Sequence, residues 1–357
     1  MSLLHSRRRF LKNSSLLSAA LMVEPSKVFT FVKPYQAIGA RCEDDDAANQ
    51  IITVTGAISE PGFTLVHEHV LVDFIGADKA SPDRYNADEV FETALPKLKD
   101  LQSKGCKTFV DCTPAYLGRD VRLLKRLSVA SGLNIVSNTG FYGAAKEMYL
   151  PKLAYSETAA SIAKRWISEF ENGVDGSTIK PGFIKCAVDS YPLSPTQTKM
   201  IEAAAITHLA TGLTIYVHTG NGLAAKEELK IINRFKVHPS AWVWVHAQSE
   251  ADRQVHLEMA RAGAWISFDG VNVSSIKNCI QFLDDMKENK LLNRVLLSQD
   301  SGWYNVGQAK GGKFNDYNTI HDKLIPELKT SGYTQEDLDL LFKVNPRKAL
   351  SVAIRKR

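Results

Sequence analysis

The chain has 357 residues, 44% of them hydrophobic, which is enough for a large core and is typical of a single α/β barrel. Its formal net charge of +5 comes entirely from residues 1–40, where six basic residues face one acidic residue, so the neutral remainder argues against a nucleic-acid-binding protein. The five cysteines form no CxxC pair and no apolar run reaches the roughly 18 residues that cross a bilayer, which argues against a disulfide framework, a zinc ribbon and an integral membrane segment.

Residues 1–40 predict an export signal. Arg7 and Arg8 are followed, after one residue, by Phe-Leu-Lys at 10–12 and then by a short apolar run over 15–23. This pattern resembles the twin-arginine signal almost position by position, and that signal directs folded proteins to the periplasm. The expected organisation is a signal peptide over 1–40, a spacer over 41–50 and one folded domain over 51–357.

From residue 50 onward, short apolar runs alternate with longer amphipathic stretches. Each run is rich in Val, Ile, Phe or Thr, as strands are, and the stretches between them have the period of helices. Eight such strand–helix units predict a closed parallel (β/α)8 TIM barrel, with an open doubly wound sheet as the alternative fold. No GxGxxG motif follows the first run, so the dinucleotide-binding version of that alternative is disfavoured. The eight runs are 64–73, 108–114, 134–141, 182–189, 214–219, 242–247, 265–271 and 295–300.

Polar residues stand near the ends of five of these runs. His67 and His69 are two residues apart in the first run, so the alternation of a strand predicts that they point to the same face. The carboxyl ends of barrel strands converge on one spot, where imidazoles and carboxylates can bind metal ions. We therefore predict a metal site formed by His67, His69, Lys185, His218, His246 and Asp300.

Lys185 is the unusual member of this set, because an ammonium group cannot bind a cation. Burial favours the neutral form of a lysine side chain. A neutral amine reacts with carbon dioxide to give a carbamate, whose two oxygens can bridge two metal ions. We therefore expect N6-carboxylysine at Lys185.

The same residues carry a resemblance to a known family. The segment 54–69, which ends in the two histidines, and the segments 139–142, 182–185, 298–300 and 345–347 resemble the phosphotriesterase family of the amidohydrolase superfamily. All six predicted ligands occur in the order that this family has. The resemblance therefore implies the barrel fold and a metal-dependent hydrolase.

The resemblance also implies how the ligands divide between two divalent metal ions. His67, His69 and Asp300 would bind the more buried ion, and His218 and His246 would bind the more exposed one. The donor set suits Zn²⁺, with Mn²⁺ or Co²⁺ as alternatives.

The catalytic residues follow from the same resemblance. Lys185, as a carbamate, would bridge both ions together with a hydroxide, which is the nucleophile. Asp300 would accept the proton from that hydroxide. Tyr142 corresponds to the tyrosine that leans toward the metals in the lactonase branch of the family.

The sequence departs from the family along the proton relay. The phosphotriesterases proper have Asp-His at the end of the seventh strand and the lactonase branch has Asp-Arg, whereas this chain has Asp269 and Gly270. Ser249 and Glu250 stand where a second relay aspartate would follow the sixth-strand histidine. These differences concern the relay and leave the metal ligands unchanged.

The loop after Asp300 provides the candidates for substrate contact. This loop, 301–312, matches neither characterised branch, and it shapes the substrate pocket in barrel enzymes. Trp303 and Tyr304 are predicted to line the pocket because they follow closely on Asp300. Glu68, between the two histidines, is predicted to face outward in an ion pair with a helix.

These expectations describe a periplasmic binuclear metal hydrolase that acts on ester, lactone or organophosphate bonds of a small-molecule substrate. The same ligands would also serve an enzyme that cleaves an amide or cyclic amide. The altered relay leaves a third interpretation, a metal-loaded barrel that binds ligands without catalysis. A homodimer is the assembly that we consider, and no nucleic-acid partner is expected.

Overall fold

The structure is a computed structural model, which describes residues 50–357. The predicted signal peptide over 1–40 and all but the last residue of the spacer over 41–50 lie outside the described residues. The first strand begins at residue 51, where the folded domain is predicted to start.

The domain has the predicted alternation of strands and helices. An antiparallel hairpin of β1 (Ile51–Thr53) and β2 (Gly56–Ile58) precedes the barrel. The barrel strands consist mainly of β-branched, aromatic and other apolar residues, which fit a parallel sheet that is covered on both faces. They are β3 (Thr64–Val72), β4 (Thr108–Asp111), β5 (Asn134–Val136), β6 (Asn138–Thr139), β7 (Phe183–Val188), β8 (Thr214–Thr219), β9 (Trp242–Val245), β10 (Trp265–Phe268) and β11 (Val295–Leu297).

Parallel pairing closes these strands into a barrel. β4 pairs with β5 and β6 pairs with β7, so β5 and β6, separated by one residue, together act as the third strand. The segment after β11 meets the first strand where the Asp300 amide donates to the His67 carbonyl oxygen over 3.1 Å. A further strand, β12 (Gly302–Asn305), pairs in parallel with β3. The predicted (β/α)8 barrel is thus confirmed.

Helices follow the strands and begin and end at recognisable signals. They are α1 (Ala87–Ser103), α2 (Val121–Ser131), α3 (Leu153–Ser156), α4 (Ala159–Asn172), α5 (Pro195–Thr211), α6 (Gly222–Arg234), α7 (Arg253–Arg261), α8 (Ile276–Glu288), α9 (Ile325–Thr330), α10 (Gln335–Asp339) and α11 (Asn345–Leu350). α5 begins after Ser194, which forms reciprocal caps with Gln197. It ends at Gly212, whose φ of 78° is a left-handed conformation that glycine adopts without a Cβ clash.

Two apolar layers pack on the two faces of the barrel wall. The outer layer lies between strands and helices and includes Trp242 and Trp244. The inner layer fills the lumen with side chains such as Val66, Phe183 and Tyr216. Because the lumen is filled by side chains, the polar residues at the carboxyl ends of the strands lie at the bottom of an opening and not along a pore.

The described residues also bear on the cysteine and membrane predictions. Cys106, Cys112, Cys186 and Cys279 are buried free thiols, whereas Cys42 lies outside the described residues. Between residues 50 and 357, no helix combines the length and the apolar character that spanning a bilayer requires.

Candidate metal centre

The first strand supplies two imidazoles through an irregular register. β3 pairs in parallel with β4, and the pairing shifts between Leu65 and Glu68, which marks a β-bulge or similar irregularity. Such a shift re-aims the side chains that follow it. Val66 packs in the lumen layer, and beyond it His67 and His69 face the same opening with ring centroids 5.3 Å apart.

The regular alternation of strand side chains directs Lys185 and His218 toward the opening. Phe183 and Tyr216 lie in the lumen layer, and each stands two residues before the polar side chain of its own strand. Lys185 on β7 is only 1% exposed, and its Nζ has no hydrogen-bond partner in the described part of the chain. A buried ammonium without a partner is costly, so Lys185 is a group for which the site must supply an anion or a chemical change.

Left-handed backbone conformations place His246 and Asp300. Each follows a strand end, and φ is 63° at His246 and 52° at Asp300. Such conformations of non-glycine residues cost on the order of 1–3 kcal/mol and are concentrated at functional sites. Val243 and Val245 of β9 face the lumen, so regular alternation would turn His246 toward the helices. The left-handed turn brings it to the opening instead.

The predicted histidine and aspartate ligands converge. Nε2 of His69 lies 3.1 Å from Asp300 Oδ1, and Nε2 of His67 lies 3.7 Å from the same oxygen. Ligand atoms of His67, His246 and Asp300 all lie within 4.8 Å of one another. His218 is adjacent to His246, with ring centroids 4.5 Å apart. The structure therefore brings the four predicted histidines and the aspartate to one place.

Asp269 and Thr113 provide partners for the Nδ1 atoms of three of these rings. Asp269, directly after β10, lies with Oδ2 3.1 Å from His67 Nδ1 and with Oδ1 2.6 Å from His246 Nδ1. Thr113 Oγ1 lies 2.7 Å from His69 Nδ1. Partners of this kind fix the orientation of a ligand ring and leave its other nitrogen for the metal. No such role was predicted for Asp269, although a carboxylate at the end of the seventh strand is a signal that could have indicated it.

Burial keeps two of the imidazoles neutral. Burial, aided by the charge of Lys185, lowers the pKa of His67 to about 3. Burial and the neighbouring His246 lower the pKa of His218 well below its ordinary value. Metal binding requires a neutral imidazole, so both rings are in the binding form at neutral pH.

At Asp300 and His246, interactions with oppositely charged neighbours outweigh the effect of burial on the pKa. Burial alone would raise the pKa of Asp300, but His67 and His69 outweigh it and the pKa lies below its ordinary value. Burial would likewise lower the pKa of His246, but Asp269 outweighs it and raises that pKa. Asp300 is therefore ionised at neutral pH, which is the form that binds a cation.

This donor set fits divalent metal ions. It combines neutral imidazoles with an ionised carboxylate, whose buried Oδ1 lies 3.1 Å from His69 Nε2 and 3.7 Å from His67 Nε2. Lys185 does not fit a cation site as an ammonium. It fits as a carbamate, which would replace the positive charge by an anion with two ligand oxygens.

Two of the three other predicted site residues reach the opening. The Tyr142 hydroxyl lies 3.1 Å from His218 Nδ1, and burial raises the pKa of this phenol. The Trp303 ring packs 5.1 Å from that of His69, and its Nε1 donates to the Asp300 carbonyl oxygen over 2.8 Å. Tyr304 is not brought there, because it is buried beside α1 and its hydroxyl donates to Glu89.

Two aromatic side chains that were not predicted, Phe74 and Tyr149, join Trp303 and Tyr142 in an aromatic wall beside the metal ligands. The Phe74 ring lies 5.5 Å from that of Trp303 and 6.1 Å from that of Tyr149. The Tyr149 ring in turn lies 5.7 Å from that of Tyr142. Phe74 is 44% exposed, which is unusual for a phenylalanine and places an apolar edge at the mouth of the opening.

The prediction for Glu68 is wrong. Its carboxyl group accepts hydrogen bonds from the Ser298 hydroxyl over 2.8 Å and from the Gln299 and Ser301 amides over 3.0 and 2.8 Å. It forms no ion pair within residues 50–357, and burial raises its pKa to about 8. Glu68 therefore connects the first strand to the segment that carries Asp300. The predicted cation on a helix is replaced by one hydroxyl and two amides of the segment that follows β11.

The relay positions of the family are filled differently here. A Cβ at Gly270 would lie 2.6 Å from Gln248 Nε2, so this glutamine takes the space of a larger residue at position 270. Glu250 accepts hydrogen bonds from the Asp252 amide in its own loop and from the Gly222 amide at the start of α6. Neither side chain continues a relay from Asp300, whose side chain is itself 24% exposed.

Comparison with known proteins gives consistent matches. The sequence model of the Phosphotriesterase family matches residues 49–350. The chain is 28% identical over 309 residues to an aryldialkylphosphatase of Saccharolobus solfataricus, a match that covers 81% of this chain and 95% of that protein. It is 30% identical over 311 residues to a phospho-furanose lactonase of Mycoplasmopsis agalactiae, covering 81% of this chain and 87% of that protein. An organophosphorus hydrolase from Deinococcus radiodurans superimposes with a TM-score of 0.77 at 26% identity, over 85% of this chain and 97% of that one.

Proposed function

Since the chain belongs to the phosphotriesterase family of hydrolases, we propose that it is a binuclear metal-dependent hydrolase of lactone, ester or organophosphate bonds. One observation carries the proposal. Ligand atoms of His67, His246 and Asp300 lie within 4.8 Å of one another, where the barrel strands end. The names of the two relatives above include a lactonase and a phosphatase, which is the reason for including both bond types.

The residues that would bind metal fall into two positions. The buried position consists of His67, His69 and Asp300, and the exposed position consists of His218 and His246. Lys185, as N6-carboxylysine, would serve both. Zn²⁺ suits these donors, and Mn²⁺ or Co²⁺ are alternatives. When bound, such ions polarise the substrate oxygen and make a water molecule a nucleophile at neutral pH.

Asp300 would accept the proton of the attacking water. Its low pKa keeps it ionised. Because Gly270 carries no side chain to continue a relay, the proton leaves Asp300 directly. The 24% exposure of the Asp300 side chain provides the route to solvent.

The four residues of the aromatic wall bind and orient the substrate. Tyr142 stays protonated, so its hydroxyl donates a hydrogen bond to an oxygen of the substrate. Trp303, Phe74 and Tyr149 form an uncharged aromatic wall, which binds an apolar substituent and keeps water from it.

A screen of metal-replete protein tests this function. We expect metal analysis of protein prepared without chelators to give two ions per chain. We also expect hydrolysis of lactones, aryl esters or phosphotriesters that is lost on chelator treatment and restored by Zn²⁺, Mn²⁺ or Co²⁺. Fewer than one ion per chain, or no activity in any of these classes, contradicts the proposal. Activity on amides or cyclic amides alone identifies the alternative amidohydrolase.

We further propose export to the periplasm through the twin-arginine route, on the basis of the motif at Arg7 and Arg8. Replacing both arginines by lysine keeps the charge and removes the motif. The double variant is expected to remain in the cytoplasm, as measured by cell fractionation. A distribution equal to that of the unaltered chain rules out this route.

A further inference from the structure

One buried carboxylate contacts a ligand ring from each of the two metal positions. Asp269 has no exposed surface, and its two oxygens lie 3.1 Å from His67 Nδ1 and 2.6 Å from His246 Nδ1. His67 belongs to the buried position and His246 to the exposed position. These rings come from β3 and from the end of β9, and Asp269 reaches both from the end of β10, the strand between β9 and β11.

We propose that Asp269 is a positioning residue that orients the ligand rings of both metal positions at once, so that its loss weakens both positions together. This inference rests on the proposed function. An imidazole that donates its Nδ1 hydrogen to a carboxylate has its lone pair on Nε2. For His67, Nε2 is the nitrogen that lies 3.7 Å from Asp300 Oδ1, on the side of the metal site.

Other hydrogen-bond donors hold the Asp269 carboxylate so that each of its oxygens faces one of the two rings. Ser267 Oγ donates to Oδ2 over 2.7 Å, and Gln248 Nε2 donates to Oδ1 over 3.2 Å, so each oxygen has one further donor. The backbone amide of His246 also lies 3.2 Å from both oxygens. All these donors keep the carboxylate in one orientation, with one oxygen toward each ring.

Thr113 offers a matched comparison at a single ring. Its hydroxyl lies 2.7 Å from His69 Nδ1, and it is as buried as Asp269. His69 belongs to the buried position alone. Thr113→Val keeps the shape of the side chain and removes the hydroxyl, so it should weaken the buried position and leave the exposed position unchanged.

Asp269→Asn should weaken both. An asparagine side chain has one acceptor oxygen and presents N–H groups where the second acceptor stood, so at most one ring keeps its partner. The ring left beside the N–H groups must turn or change its tautomer, and the ring that keeps its partner loses a charged acceptor. Loss of a partner of this kind typically lowers metal affinity about 10- to 100-fold.

The experiment is a metal titration and does not depend on catalysis. Chelator-treated full chain is titrated with Co²⁺ in the presence of a competing chelator, and the visible absorption of the bound ion reports the two binding steps. We expect two steps for the unaltered chain, an affinity loss of about 10-fold or more in both steps for Asp269→Asn, and a loss in one step for Thr113→Val. Circular dichroism and thermal unfolding establish that each variant is folded.

The possible outcomes separate this inference from the proposed function. If the unaltered chain binds no Co²⁺, the metal centre itself is refuted. If the unaltered chain binds two ions and Asp269→Asn changes neither step, or only one, Asp269 does not join the two positions. Should Asp269→Asn fail to fold, Ser267→Ala decides, because it removes the 2.7 Å donor to the carboxylate at minimal cost in volume. A change in both steps supports the inference, and no change overturns it.

Discussion

Lys185→Ala is expected to lose at least one of the two metal ions and to hydrolyse substrate at least about 100-fold more slowly, the scale on which loss of one preorganised electrostatic group acts. The reason is the burial of Lys185 without a partner among histidines at the strand ends. As a carbamate, formed when the neutral amine adds carbon dioxide and releases a proton, the side chain supplies an anion to both metal positions. Alanine supplies none. Metal content and hydrolysis rate, measured on the same preparation, test this expectation.

Two further substitutions at this position separate charge from shape. Lys185→Glu keeps a carboxylate on a shorter arm and should recover part of the metal content, whereas Lys185→Gln has nearly the same shape as glutamate without the charge and should not. Short carboxylic acids or bicarbonate should partly restore the alanine variant by filling the gap. Two ions per chain and an unchanged rate in Lys185→Ala would show that the bridge is unnecessary.

The alternation of strand side chains predicted part of this site correctly. Lys185 and His218 each lie two residues after a lumen-facing side chain, and the period of two places them in the opening. The same rule fails at His246, because the chain turns into a left-handed conformation directly after β9. His246 was predicted from its position at the end of a strand, whereas periodicity alone would have turned it toward the helices.

The residues that support the ligands were harder to predict than the ligands. Asp269 was noted only as part of a departure from the family, because its partners, His67 and His246, are 202 and 23 residues away in sequence. Glu68 was given the wrong partner, because the segment that satisfies its carboxyl group lies 230 to 233 residues away in sequence. Such contacts depend on which strands become neighbours, and this is a property of the closed barrel.

The dependence on strand neighbours also explains why only one of the two aromatic residues predicted after Asp300 reaches the site. Trp303 and Tyr304 are adjacent on β12, so their side chains point to opposite sides of it. Trp303 packs against His69, while Tyr304 packs outward beside α1. Proximity in sequence to Asp300 selected both, and only the position of β12 beside β3 decides which one reaches the site.

Asp300→Asn is expected to lower kcat by about 100- to 10,000-fold even when metal is saturating, the range over which a positioned proton acceptor contributes. Asparagine keeps the size of the side chain but cannot take up the proton of the attacking water. It is also a weaker metal ligand, so the variant should need more metal to reach its maximal rate. Measuring the rate against Zn²⁺ or Co²⁺ concentration separates the two effects, because added metal corrects weak binding and does not replace the proton acceptor.

Asp189→Asn is the matched control for this experiment. Asp189 also follows a barrel strand, β7, but its oxygens accept hydrogen bonds from the Ala145 amide and from Gln197 Nε2, both over 2.9 Å, and contact none of the predicted ligands. This variant should lower stability slightly and leave kcat within a few-fold of the unaltered enzyme. If saturating metal brings Asp300→Asn to the rate of Asp189→Asn, then Asp300 serves only as a ligand, and another group must accept the proton.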